Sequence, residues 1–200
     1  MEYSFHIYNK LAADGVAMAT DKLLFAKASK TKGAGTSLTE VSNAPPVVVC
    51  IGSDLAIGDS LGPITGSMLK FKTQGLKAFV YGTLASPVTA KEIRYMRAFL
   101  KETHKDSQVI AIDAAVGNEG DIGLVKLNDI PLHPGAGANK RLGALGDISV
   151  MGVVAEKSIS NYALLNTTRL NLVYTMAEMI SEALADYLRN RQPLPNISSF

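Results

Sequence analysis

The residues best placed to do chemistry lie in the stretch CIGSDLAIGDSLGP, residues 50–63, where Asp54 and Asp59 stand among three glycines directly after an apolar run. A third acid, Asp113, closes a second apolar run, QVIAID, at 108–113. Carboxylates from separate strand ends that converge on one edge can share a proton, because like charges a few ångströms apart do not both ionise cheaply. Such a pair can activate water as a base and protonate a leaving group as an acid. The same acids could instead hold a divalent metal, which stabilises both ionised forms. Each acid also has a structural alternative. Asp54, in a glycine-rich turn, is read first as an acceptor of backbone N–H groups. Asp59, four residues before Pro63, is equally placed to cap the helix that follows. Asp113 follows five mostly apolar strand residues and needs a partner once that strand is buried.

The letters Gly58-Asp59-Ser60-Leu61 also spell the signature of the GDSL esterase class, with Ser60 as nucleophile. That chemistry needs a base, usually a histidine in an Asp-x-x-His pair near the C-terminus. None of His6, His104 and His133 stands there. Gly52, Gly58 and Gly62 do not keep dinucleotide spacing, and no Gly-Lys-Ser/Thr follows them, so nucleotide binding is not expected. A second glycine-rich region, LHPGAGANKRLGALGDISVMGVV at 132–154, carries His133, Lys140, Arg141 and Asp147. It reads either as a substrate rim or lid, or as a plain surface loop. His133 is a candidate metal ligand or acid–base group, with a solvated loop histidine as the alternative.

The elements that must hold these residues alternate along the chain. PVVVCIG at 46–52, AFVYG at 78–82 and QVIAID at 108–113 are buried strands by length and β-branched content. GLVKL and ISVMGVVA, the latter at 148–155, read as further strands. Helices are expected from Pro63 to near Gly75, from the Thr89/Glu92 capping box to near His104, and over 168–190. This alternation predicts an α/β sandwich with a mainly parallel sheet, in which ligands bind beyond the carboxyl ends of the strands.

The chain of 200 residues, nearly half of them apolar, suits one domain. That domain is read over 45–192, with an N-terminal extension of uncertain order at 1–44 and a C-terminal tail at 193–200. The connector TKGAGTS within the extension prompts the reading of 1–44 as a removable pro-segment, and Ser37 with Glu40 forms a candidate capping box. A net charge of +2 gives no reason to expect nucleic acid as a partner. The single cysteine, Cys50, forms no internal disulfide and reads as a buried small hydrophobe in a reducing compartment. Charges near the start and the absence of an apolar run of membrane length predict a soluble, cytoplasmic protein with no membrane partner. A homo-oligomer is compatible with all of this.

Four segments, VVVCIGSDLAIGDSLGP, VYGTLASPV, VIAIDAAVG and PLHPGAGANKRLGALGDISVMGVV, together resemble the YyaC family of sporulation proteins of endospore-forming bacteria, over residues 45–187. That family is similar to the germination protease of spores and, more remotely, to hydrogenase-maturation endopeptidases. The resemblance implies a three-layer α/β/α sandwich of phosphorylase/hydrolase-like type, working in the sporulating cell or spore. It implies an aspartic-type endopeptidase acting on spore proteins, hence a peptide or protein substrate and no resident cofactor. GDSLGP and AIDAA match the two acid-bearing places of the germination protease, which carries the catalytic roles onto Asp59 and Asp113. Asp54, Ser60, Gly58, Gly62, His133, Lys140 and Asp147 then become candidates for holding the substrate or supporting the pair. The maturation endopeptidases bind a metal with a second acid after the next strand and a histidine. Here Val80-Tyr81-Gly82-Thr83 offers no carboxylate, so no metal is expected, although a divalent ion stays compatible. Two other readings remain open: a non-enzymatic spore protein that binds a peptide or partner through this fold, and the GDSL-type esterase.

Overall fold

Val47, Val48, Val49 and Cys50 have no exposed surface, so the strand they form is covered on both faces. The computed structural model describes residues 1–32, 44–134, 142–157 and 168–192. In chain order these form β1 (Glu2–His6), α1 (Ala12–Lys32), β2 (Val47–Cys50), a 3-10 turn (Gly58–Ser60), α2 (Leu61–Lys72) and β3 (Phe79–Tyr81). They continue through α3 (Ile93–Thr103), β4 (Val109–Gly117), a second 3-10 turn (Glu119–Asp121), β5 (Leu124–Asn128), β6 (Ile148–Glu156) and α4 (Leu170–Asn190).

The strands make one six-stranded sheet in the order β1-β5-β6-β4-β2-β3. β3, β2, β4 and β6 run parallel, whereas β5 is antiparallel to both β6 and β1. Side-chain alternation along the central strands feeds two cores. Val48, Cys50, Ile110, Ile112 and Val150 pack against α1, α2 and α4, where Leu23, Leu69, Met176, Ile180 and Leu184 are buried. Val47, Val49 and Ala111 face the opposite way, toward Ile93 and Leu100 of α3 and toward Leu132 and Leu145, which pair with each other. The result is a three-layer α/β/α sandwich with a mainly parallel sheet. No described helix is long and apolar enough to cross a membrane.

The structure corrects the reading of the first residues as an extension outside the domain. β1 pairs with β5 over its whole length, from Glu2 opposite Asn128 to His6 opposite Leu124. α1 buries Ala12, Val16, Ala19 and Leu23, a four-three-four spacing that lays one stripe on the sheet. The stripe is easy to overlook because two of its members are alanines and Thr20 lies beside it, its hydroxyl donating to the Val16 carbonyl at 2.8 Å. A pro-segment comprising 1–44 would take an edge strand and a core helix with it. The connector, the Ser37/Glu40 box and the tail at 193–200 lie outside the described residues. β4 also runs four residues past its expected end at Asp113, which matters for the site.

Leu23 is fully buried in α1. Leu23→Ala is therefore expected to cost about 2–5 kcal/mol of unfolding free energy, read from urea melts. A loss no larger than that of an exposed α1 substitution would show that α1 does not belong to the core.

Candidate active site

β2 is short, and the way it ends builds the site. Its last ladder pair is Cys50 with Ile112. The next residue, Ile51, donates its N–H to the Ile112 carbonyl at 2.8 Å, and Gly52 then turns aside to donate to Val88 at 3.0 Å. Gly52 has φ +142°, and a Cβ there would lie 2.0 Å from the Asp59 carbonyl oxygen. Only glycine allows this return of the chain. Ser53 N–H closes the loop onto the same carbonyl at 3.2 Å. Ten residues after Gly52, Gly62 in the first turn of α2 lies so close to the end of β2 that a Cβ would sit 1.9 Å from the Ile51 oxygen. Two missing side chains thus let the Gly58–Ser60 turn press against the carboxyl edge of the sheet, and that turn carries Asp59.

Asp113 reaches the same place from β4, one residue beyond the last partner of β2. It lies next to Met151 of β6, and alternation puts it on the face of Ala111. Its Oδ1 accepts the Ala114 N–H at 2.9 Å. Burial pushes the Asp113 carboxyl up to about 8, the negative charge of Asp59 adds to the rise, and the Ala114 N–H works against it. Asp59 is also raised by burial, with the Ser53 N–H offsetting part of the effect. The two acids are thus electrostatically coupled, and their titration belongs to the pair. Near neutral pH this favours the protonated form of Asp113. No group of three His, Cys, Asp or Glu side chains suited to a metal gathers among the described residues.

The other candidates separate. Asp54 is exposed, and the turn acceptor is Ser53 Oγ, which takes the Leu55 N–H at 3.2 Å. Ser60 is buried, its hydroxyl donating to the Ile57 carbonyl at 2.6 Å, so it locks the turn and is not poised as an esterase nucleophile. Gly58 and Gly62 are buried parts of the turn and the helix start. The N-cap of α2 is Ser60, without a side-chain cap hydrogen bond, so Asp59 does not hold the capping position. Asp147 belongs to the opposite edge of the sheet: its Oδ2 accepts the Val109 N–H at 2.8 Å while its own N–H donates to the Val109 carbonyl at 2.7 Å. That two-sided clasp starts β4 and β6, four residues of strand away from Asp113. His133 is exposed, next to the Leu132–Leu145 bridge, and Lys140 lies outside the described residues. Gly52 and Ser53 carry no chemistry, yet they frame Asp59. Their signal in the sequence is a glycine directly after a fully apolar strand.

A family model described as "Protein of unknown function (DUF1256)" matches residues 26–183, and the chain belongs to this family. The Bacillus subtilis (strain 168) protein described as "Uncharacterized protein YyaC" is 41% identical over 150 residues, covering 75% of this chain and 73% of that protein. Among solved structures, the [NiFe] hydrogenase maturation protease HycI from Thermococcus kodakarensis KOD1 is similar at a TM-score of 0.49 and 19% identity, covering 74% of this chain and 94% of the other.

Two expectations follow. In the unfolded chain Asp113 titrates near about 3.9, whereas in the fold it titrates well above that. The folded state holds the extra proton between those values, so this contribution to stability is complete below the unfolded value and is lost as pH rises toward about 8. Asp113→Asn should flatten that decline in denaturant melts between acid and weakly alkaline pH; an unchanged slope would place the acid in water. Asp147→Ala is expected to cost about 1–3 kcal/mol by leaving the half-buried Val109 N–H at the start of β4 without its acceptor, measured the same way.

Proposed function

We propose that this chain is a peptidase of the aspartic type, with Asp59 and Asp113 as its catalytic acids. The observation that carries the reading is their arrangement: two half-buried carboxyls from different elements, coupled at the carboxyl edge of a parallel sheet, one of them raised toward neutrality. In the proposed reaction a water molecule lies between the acids. Ionised Asp59 takes a proton from it while the remaining hydroxyl adds to the peptide carbonyl carbon, and Asp113 gives its proton to the carbonyl oxygen. The tetrahedral species then collapses. The proton on Asp59 passes to the departing amide nitrogen, the C–N bond breaks, and the hydroxyl proton returns to Asp113. Atoms and charges balance, and the pair regains its starting single proton.

The resemblance to sporulation proteins directs the assay to proteins of spores, with the sporulating cell or spore cytoplasm as the proposed setting. Asp59→Asn and Asp113→Asn, each checked for folding, should lower hydrolysis of extracted spore proteins and of an unstructured protein such as casein by about 10²–10⁴-fold. Ser60→Ala should keep activity, since that hydroxyl is bound to a main-chain carbonyl. Full activity in either Asn variant ends the mechanism, and loss confined to Ser60→Ala would return the site to the esterase reading.

A further inference from the structure

β4 outruns β2. The two strands pair from Val47 with Val109 to Cys50 with Ile112, after which β2 has ended while β4 continues beside β6 to Gly117. Four residues after Asp113, namely Ala114, Ala115, Val116 and Gly117, therefore have a strand on one side only. All four are half-buried rather than covered.

The direction of their amides follows from the bonds at both ends of the strand. Toward β2, the carbonyls of Gln108 and Ile112 accept from Val47 and Ile51. Toward β6, the carbonyls of Val109 and Gly117 accept from Asp147 and Lys157. Even-numbered residues thus face β2 and odd-numbered residues face β6 across the whole strand, as a parallel ladder requires. The register shift between Ala115 and Val116 does not disturb this alternation in β4. Ala114 and Val116 accordingly present their main chain to the side that β2 has left. The Ala114 N–H is taken by Asp113. Among the described residues nothing takes the Ala114 carbonyl, the Val116 N–H or the Val116 carbonyl, an acceptor–donor–acceptor row that begins beside Asp113.

We infer that this overhang of β4 is a strand-addition edge that holds an extended, net-basic peptide segment alongside Asp113. A peptide main chain is the ligand whose donors and acceptors alternate at this spacing. One residue can donate to Ala114 and accept from Val116, and the residue two further on can donate to Val116. The charge of the occupant follows from the surroundings. Asp54 is exposed two residues after Gly52, where the chain leaves β2; Glu119 is exposed two residues after the end of β4, and Glu156 of β6 is exposed opposite Gly117. These three make no ion pair with a described residue, with Lys157 the neighbouring cation of Glu156. The overhang residues themselves are alanine, valine and glycine, small side chains that hinder a second backbone little. The inference rests on the peptidase reading for the fate of the peptide, but the edge itself does not need cleavage.

The test uses the full chain carrying Asp59→Asn, so that binding is read without hydrolysis. The probe is a fluorescein-labelled decapeptide of alternating lysine and valine, compared with the same peptide N-methylated at every second amide. Anisotropy should show binding that the methylated probe loses at least tenfold and that weakens as salt is raised. Amide shifts of the ¹⁵N-labelled protein should move at Val116 and its neighbours. Val116→Pro, which removes the outward N–H without removing a β6 ladder bond, should weaken binding at least tenfold, with circular dichroism confirming the fold. If that variant does not fold, the methylated probe and the amide shifts decide. Equal binding of both probes, shifts centred on the outer edges of β1 or β3, or no binding at millimolar probe would each overturn the inference. A protein that binds at Val116 but never cleaves would keep the edge and overturn only the peptidase reading. Cleavage with the probe mapped elsewhere would do the reverse.

Discussion

Two carboxyls that share a partly dry sheet edge repel each other and resist ionisation, and much of the local architecture is arranged around holding them there. Neither Asp59 nor Asp113 has a described cationic partner to relieve this. The structure relieves it with backbone N–H groups, from Ser53 for one acid and Ala114 for the other. The remaining penalty shows as the raised Asp113 carboxyl, which favours its protonated form. An arrangement of this kind costs stability at neutral pH, and a fold tolerates it when the rest of the core supplies an excess. The central strands and helices do so: from Val47 to Cys50 and from Ile110 to Ile112, every side chain is buried.

Strand length is what turns this tension into a site. Were β2 as long as β4, Asp113 would lie in the middle of a covered sheet with no space beside it. Because β2 stops at Cys50, the chain can swing out at Gly52 and return as the Gly58–Ser60 turn. The close approaches of Gly52 to Asp59 and of Gly62 to Ile51 fix how deeply the turn sits. At the other end of the sheet, Asp147 clasps Val109 and so sets where β4 begins relative to β6. One acid of the glycine-rich loop therefore supports the sheet, while a different acid faces the site, and both roles suit a carboxylate.

Several features were readable from residue order. The apolar runs at β2 and β4 and the four-three spacing in the last helix state their periods plainly, and the α/β class follows from their alternation. The capping box at Thr89 is present, with the Glu92 carboxylate accepting the Thr89 N–H at 2.9 Å. Residues 1–32 were harder. β1 shows only a half-buried alternation, and α1 uses alanine where a stronger signal would need leucine. The local roles of Asp147 and Ser60 could not be read from residue type, which is common to catalysis and to capping, and only the partner tells which applies. For Ser60 that partner is the Ile57 carbonyl, and for Asp147 it is the Val109 main chain.

By itself the sequence determined the main strands and helices after residue 44 and which residues carry ionisable groups near strand ends, since these depend on local pattern and on burial of apolar side chains. It also required glycine at 52 and 62, although not for a reason visible in one dimension. The tertiary structure decided which acids meet, how far each is removed from water, and on which side β4 is left unpaired. Those outcomes depend on relative strand lengths and on contacts between residues far apart in the chain. No local pattern encodes that information.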